Sequence, residues 1–246
     1  MIKIIKKENL NKYKEIYLKP TQERVVDQKR MKLVADYILP KLKGNRVLEL
    51  GVGDQIWTPK LIERFTDVVT IDGSSELLAE MKKRLGEKHW KPVVSFFENY
   101  KPEKPFDIVL MTYVLEHVDN PLEILNLACT SWLKDEGLLV VIVPHALSLH
   151  RRLGVKMGLI SFSGELGESD RLVGHKWCFS CYEMEKLVMT AGFEVIESKG
   201  MFTTIFPNNM LVQCSDEQLR GMFNLGLDLP IEYSSIIYFI AKIKHR

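Results

Sequence analysis

Gly51-Val52-Gly53, arriving directly after the apolar run Val47, Leu48 and Leu50, restricts what this chain can fold into more than any other stretch. A short β run has to stop there and the backbone has to turn tightly. Glycine meets that demand because it takes up positive φ cheaply and lets a ligand approach the main chain with no Cβ in the way. The stretch 45–54 therefore reads as the first strand and glycine loop of a nucleotide-binding α/β unit. A second apolar run, Val68 to Ile71, ends in Asp72, nineteen residues beyond Gly53, and Gly73-Ser74-Ser75 follows. A carboxylate at a second strand tip can accept both ribose hydroxyls of an adenosine.

The dinucleotide fingerprint of dehydrogenases places a third glycine three residues after the second, where this chain has Ile56. It also requires no acid inside the first strand, where this chain has Glu49. Hydride chemistry loses ground on both counts.

An acid followed by spaced glycines, Glu49, Gly51 and Gly53, resembles the opening motif of class I S-adenosylmethionine-dependent methyltransferases, with Gln55 in place of the last glycine. The resemblance runs from about residue 44 to about 200 and includes the stretches 106–125, 137–144 and 191–200. It implies an α/β fold: a doubly wound, Rossmann-like, seven-stranded sheet with its last strand antiparallel, preceded by N-terminal helices and carrying an insertion after strand five. It also implies S-adenosyl-L-methionine as cofactor and S-adenosyl-L-homocysteine as product. Family position gives Glu49, Gly51, Gly53, Asp72, Gly73 and Thr112 to the cofactor. It brings Glu98 or Asn99 to the adenine amino group, with a solvated strand end as the equal alternative for Glu98.

Read in order, residues 9–42 have helical spacing broken near Lys19-Pro20 and stopped at Pro40, an appendage over residues 1–43. In the family such helices fold over the cofactor, which makes Tyr13 and Tyr17 lid and substrate-side candidates. Packing of the helix on the core is the plainer role for both. Strands are expected at Val47 to Leu50, Val68 to Ile71, Val93 to Phe97, Phe106 to Met111, Leu138 to Val143, Phe193 to Ser198 and Ser235 to Lys244. Their alternation with helices predicts a parallel core sheet. Residues 145–180 loosen into a helical stretch and a Gly/Ser/acid-rich segment, and a connection this long is usually functional.

With 246 residues, 46% of them hydrophobic, the chain has the mass for one α/β domain with a full core. A net charge of +2 with no basic run beyond three residues lacks the footprint of a nucleic-acid binder. The expected partner is a small-molecule acceptor, with no nucleic acid and no membrane, and a homodimer is compatible with the sequence. The start MIKIIKK lacks an apolar stretch of signal length, which points to the cytoplasm. Four irregularly spaced cysteines suit reduced thiols, and Cys178 and Cys181 lack the further ligands of a zinc knuckle. Ser180 with Glu183 instead makes a capping box.

Methyl transfer needs an acceptor atom about 3 Å from the methyl carbon and, for a hydroxyl, removal of its proton. Histidine near its ordinary pKa of about 6.5 suits that task. His175, His145 and His150, in that order, are the expected bases, converging on the cleft mouth, while His89 and His245 sit in charged stretches and read as solvated. His117 with Glu116 resembles a pair that helps hold a metal in a quinone-pathway branch. Helix capping is the role adopted here and no metal is expected, since adjacent helical residues do not share a face. Tyr113 stands at the strand-four exit on the acceptor side. Arg151, Arg152 and Lys156 form a basic face that is either solvated or an anion-binding surface for phosphate or carboxylate.

Stretches 143–154 and 170–180 resemble methyltransferases of bacterial surface-saccharide and natural-product pathways. A sugar or a phosphorylated or carboxylated metabolite methylated on oxygen is the expected acceptor. N-methylation of a small molecule, and a catalytically silent cofactor-binding regulator, are the alternatives. Nucleic-acid amino-methyltransferases carry an Asn/Asp-Pro-Pro-aromatic stretch where this chain has Met111-Thr112-Tyr113-Val114.

Overall fold

Alternation along the strands builds the molecule. Val47, Ile108, Leu110, Val140 and Ile142 point to one face of a sheet. Leu48, Leu50, Val109, Met111, Leu139 and Val141 point to the other, as the period of two requires. In the computed structural model, which describes residues 10–19, 21–86 and 89–244, both faces are covered by helices. The first nine residues and His245 lie outside the described set, as does the side chain of Tyr13.

The strands are β1 (Arg46–Leu50), β2 (Asp67–Asp72), β3 (Trp90–Val94), β4 (Phe106–Thr112), β5 (Leu133–Pro144), β6 (Phe193–Met201) and β7 (Ile236–Ile243). They form one seven-stranded sheet in the order β3-β2-β1-β4-β5-β7-β6. β7 is antiparallel to β5 on one side and to β6 on the other. The expected fold class is the observed one.

Helices α1 (Lys14–Leu18), α2 (Gln22–Ile38), α3 (Trp57–Arg64), α4 (Ser75–Leu85), α5 (Pro121–Leu127), α6 (Leu149–Lys156), α7 (Glu168–Leu172), α8 (Cys181–Thr190), α9 (Asn208–Leu211) and α10 (Asp216–Asp228) complete the described chain. One sheet face is covered by α2, α3 and α10 through Val34, Ile38, Leu61, Ile62, Leu219 and Phe223. The other is covered by α5 and α8 through Ile124, Leu125, Met184 and Val188. Thr21 caps α2 by accepting from the Arg24 amide, and Asn120 caps α5 with Pro121 in its first turn. Ser180 and Glu183 form the expected capping box of α8.

Two sequence expectations need correction. β3 occupies Trp90–Val94, and Phe97–Asn99 is a 3-10 turn. Glu98 and Asn99 therefore sit on a turn beyond the strand, not at its tip. Pro92 is tolerated because β3 is an edge strand. His117 caps no helix: residues 115–117 form a turn, and α5 begins after Asn120. No described helix is long and apolar enough to cross a membrane.

Candidate functional site

The glycine loop closes against the tips of β1 and β2. Gly51 and Gly53 take positive φ of 75° and 38°, and Gln55, where the family pattern has a third glycine, also takes φ of 65°. The left-handed turn is thus kept without the glycine, at a cost of about 1–2 kcal/mol. Asp72 clasps the loop. Its Oδ2 accepts from the Val52 amide at 2.9 Å and its Oδ1 from the Ser74 amide at 2.7 Å. Burial raises the Asp72 pKa while these two amides oppose it. Each carboxylate oxygen keeps lone-pair capacity for a ligand hydroxyl.

Glu49 lies beneath the loop, 1% exposed. Its Oε2 accepts from Thr58 Oγ1 at 2.7 Å and Thr70 Oγ1 at 2.6 Å. Burial pushes its pKa up to about 7, against the two hydroxyls that favour the charged form. A buried acid poised near neutrality, whose ionised form a cation would stabilise, suits an ammonium group.

The N-terminal segment folds over this end. A Cβ on Gly73 would lie 2.5 Å from Leu10 Cδ1, and Ser74 Oγ donates to Asn11 Oδ1 at 2.8 Å. The Tyr17 phenol has its pKa raised by burial and then by the charges of Glu116, Asp72 and Asp54. Tyr17 packs against Val52, Leu77, Leu78 and Met81 at the cofactor end, within reach of the Glu116 charge on the turn after β4. Thr112 ends β4, and Tyr113 beyond it adopts φ of 56°. Glu98 is half-buried and Asn99 exposed on their turn.

A second group assembles where the 145–180 region meets that turn. The Lys176 and Trp177 amides both donate to the Glu116 carbonyl, at 2.7 and 3.2 Å. His117 and His175 then stack edge to face with ring centroids 4.8 Å apart. His175 Nδ1 bonds Asp170 Oδ1 at 3.1 Å, and His117 Nδ1 bonds the Gly174 carbonyl at 3.3 Å. Burial works against the Asp170 charge, yet His175, the Gly167 amide and Arg151 hold its pKa below the usual carboxylate range. Glu116 is 1% exposed with neither carboxylate oxygen partnered among the described residues. Burial pushes its pKa up to about 7, with His175 opposing. Burial and the His175 charge push His117 down to about 4. Glu116, His117 and His175 each offer one ligand atom, all within 4.8 Å of one another, a spacing a divalent ion could bridge.

The three candidate bases occupy different settings. His175 joins Glu116 and His117. His145 is 1% exposed, with Nδ1 2.9 Å from the Ser234 carbonyl, and burial lowers its pKa. His150 is pushed down to about 4 by burial and by the Arg151 and Arg30 charges. Arg151 of the basic face is internally committed, and Arg152 partly so. Arg151 donates to the Ser163 and Glu165 carbonyls and to Asp170 Oδ2. Arg152 donates to the Leu147 carbonyl at 2.7 Å and lies over the Tyr233 ring. These guanidiniums brace the insertion. His89 bonds the Ile62 and Phe65 carbonyls instead of standing free.

Asp170 and Arg30 were missed in the sequence. Asp170 gave no signal, because four residues of short helix and turn separate it from His175. Arg30 did give one: it lies four residues from Val26 and four from Val34, on the buried stripe of α2.

The family comparison follows this geometry. Residues 21–198 match the model of the methyltransferase domain. The malonyl-[acyl-carrier protein] O-methyltransferase 1 of Ilyobacter polytropus is 28% identical over 87 residues, 34% of this chain and 32% of that protein. The match thus spans about a third of that relative's length. A putative methyltransferase of Haloferax volcanii, solved with the Trm112 methyltransferase activator, superposes with a TM-score of 0.65 at 14% identity, covering 97% of this chain and 99% of that one. A Thermotoga maritima S-adenosylmethionine-dependent methyltransferase, described as a possible histamine N-methyltransferase, gives 0.61 at 19% identity with 94% of each chain covered. At these identities the two solved structures speak for the fold alone. With its family model matched over residues 21–198, the chain belongs to the methyltransferase-domain family.

Proposed function

We propose that the protein transfers a methyl group from S-adenosylmethionine to an oxygen of a small polar acceptor. The ribose rests on Asp72 and the methionine end near Glu49, Gly51 and Gly53. The adenine lies toward Gly73, Glu98 and Asn99, with Thr112 on the far side. Tyr17 and Tyr113 border the acceptor, a sugar or another phosphorylated or carboxylated metabolite. The observation that carries this reading is Tyr17, whose phenol feels the charges of both Asp72 and Glu116. In this reading the cofactor end and the Glu116–His117–His175 group border one space. The O-methyltransferase name of the Ilyobacter relative supports oxygen as the methylated atom.

In this reading acceptor activation turns on His175, which Asp170 orients through Nδ1. Its free nitrogen takes the hydroxyl proton as the methyl carbon is attacked. His145 and His150 drop behind it, since burial disfavours their charged forms. His175→Ala should lower kcat by about 10²- to 10⁴-fold, as loss of a general base does. S-adenosylhomocysteine affinity should stay unchanged. A loss below about tenfold would make catalysis positional.

One observation favours a second reading of the same group. Both imidazoles are held through Nδ1, one by a carboxylate and one by a carbonyl, which is how metal-bound histidines are commonly oriented. Glu116, His117 and His175 would then hold a divalent ion that lowers the pKa of the acceptor hydroxyl. Chelator-treated protein that keeps full turnover rejects this reading. Turnover lost on chelation and restored by Mn²⁺ or Zn²⁺ selects it over direct proton transfer.

A further inference from the structure

Arg30 occupies a core position of α2 and is 6% exposed. A cation so placed must be matched, and one end of it is. Nη1 donates to Asp27 Oδ1 at 3.0 Å and to Asn208 Oδ1 at 2.8 Å. Asn208 Nδ2 closes the triangle by donating to Asp27 Oδ1 at 3.2 Å. Nη2 reaches Ser235 Oγ at 3.4 Å, and the guanidinium carbon lies 4.5 Å from the centroid of the Phe202 ring. Nε–H is buried with no partner among the described residues. Nε–H and the adjoining Nη2–H make the edge of an arginine that takes a carboxylate or phosphate side-on.

Further unpartnered groups belong to the elements around it. His150 Nδ1, Ser148 Oγ and Thr203 Oγ1 are all buried and unbonded among the described residues. Ser148 stands at the N-cap of α6 yet makes no side-chain cap bond. Thr203 follows Phe202, and the Arg30 charge acts on His150 and Tyr113. Buried polar groups are nearly always bonded, so a set of them left open marks a place where something else bonds them.

The backbone beneath Arg30 is strained. Phe202 has φ of 65°, a conformation that costs a bulky residue free energy and persists only where neighbours impose it. Gly226 of α10 packs directly against this backbone, since a Cβ there would lie 2.2 Å from the Phe202 nitrogen. The outcome is a ring fixed under the guanidinium and a carbonyl that accepts from the Ser235 amide at 2.9 Å and its Oγ at 2.7 Å.

We infer that this cluster binds an anionic group of the methyl acceptor, a carboxylate or a phosphate, with Arg30 as the fork and Ser148 and His150 as further hydrogen-bonding groups. The inference rests on the reading of the 145–180 region as the acceptor side. It moves anion recognition from Arg151, whose donors are spent inside the insertion, to a residue of the N-terminal helix. Asp27 does not cancel it. That side chain is 41% exposed at the Nη1 end, where solvent screens it, whereas the Nε edge is buried and a second charge there acts more strongly. His150 meets the anion as a neutral ring that donates a hydrogen bond.

The test titrates inorganic phosphate and acetate, separately, into the full chain saturated with S-adenosylhomocysteine. The tighter of the two identifies the group. Arg30→Gln should weaken that anion by about 10- to 100-fold, the range for losing a charge-assisted pair. Arg30→Lys, which keeps the charge without the fork, should fall between. Asn208→Asp places a second carboxylate on Nη1 from an exposed position, so it should weaken the anion at least severalfold even if the Arg30 variants fold poorly. S-adenosylhomocysteine affinity should stay within twofold throughout. In labelled-methyl assays an acidic acceptor should outperform its methyl ester in kcat/KM by at least tenfold, and Arg30→Gln should erase that preference through KM. Anion affinity unchanged in both Arg30→Gln and Asn208→Asp overturns the inference. Methyl transfer to neutral acceptors with neither anion bound overturns it while leaving methyl transfer standing. Arg30-dependent anion binding in a protein that transfers no methyl group upholds the anion site and removes the transfer reading.

Discussion

Glu49 joins stability and ligand binding in a single carboxyl. Its pKa is pushed up to about 7 in the fold from an ordinary 4.5, so between those values the folded chain holds a proton that the unfolded chain has lost. The stability it contributes is therefore full below about pH 4.5 and is lost as the pH rises through about 7. A cofactor ammonium favours the ionised form, so binding below pH 7 must expel that proton. S-adenosylhomocysteine affinity should climb with pH to about 7 and then level, and Glu49→Gln should flatten the climb. Calorimetry in buffers of different ionisation heat reads the proton directly. A binding heat independent of buffer at pH 6 would refute the assignment. Glu49 was legible in the sequence because an acid interrupts an apolar strand. Its hydroxyl partners Thr58 and Thr70 were not, since their meeting depends on packing between α3 and β2.

Among the elements, α8 shows local sequence deciding structure. Ser180 and Glu183 satisfy each other's backbone amides, and Met184 and Val188 then seat the helix on the sheet. Ser180→Ala should cost about 0.5–2 kcal/mol, read as a lower urea midpoint with an unchanged slope. An unchanged midpoint would mean the cap contributes nothing. Elements with such signals were legible: β1 and β2 by apolar runs ending in glycine or aspartate, and α5 by Asn120-Pro121. The register of β3 was not, because Pro92 reads as a strand breaker until the strand is known to lie at an edge. α10 was not legible either, although Ser215 and Gln218 form another capping box, because Gly221 and Gly226 weaken its helical pattern.

Across the whole molecule, the ends of the family motif were easier to read than what connects them. Glu49, Gly51, Gly53 and Asp72 fall together because parallel strands bring their carboxyl ends to one edge, a consequence of topology that spacing already encodes. The group of Glu116, His117, Asp170 and His175 depends on how residues 145–180 fold back on the β4 turn, and no local pattern states that. If α1 and this insertion both cover the bound ligands, as the proposed function has it, both should slow in amide exchange when S-adenosylhomocysteine is added, while β4 and β5 stay unchanged. Equal exchange with and without the ligand would separate them from the site.

The central claim is that S-adenosylmethionine sits across the tips of β1 and β2 with Asp72 as its anchor. Calorimetric titration of S-adenosylhomocysteine into the wild type and Asp72→Ala tests it most directly. Loss of charge-assisted bonds to the ribose, with release of the loop at Val52 and Ser74, should weaken binding by about 10- to 100-fold. Equal affinity in the two proteins, with the variant folded, would contradict the account.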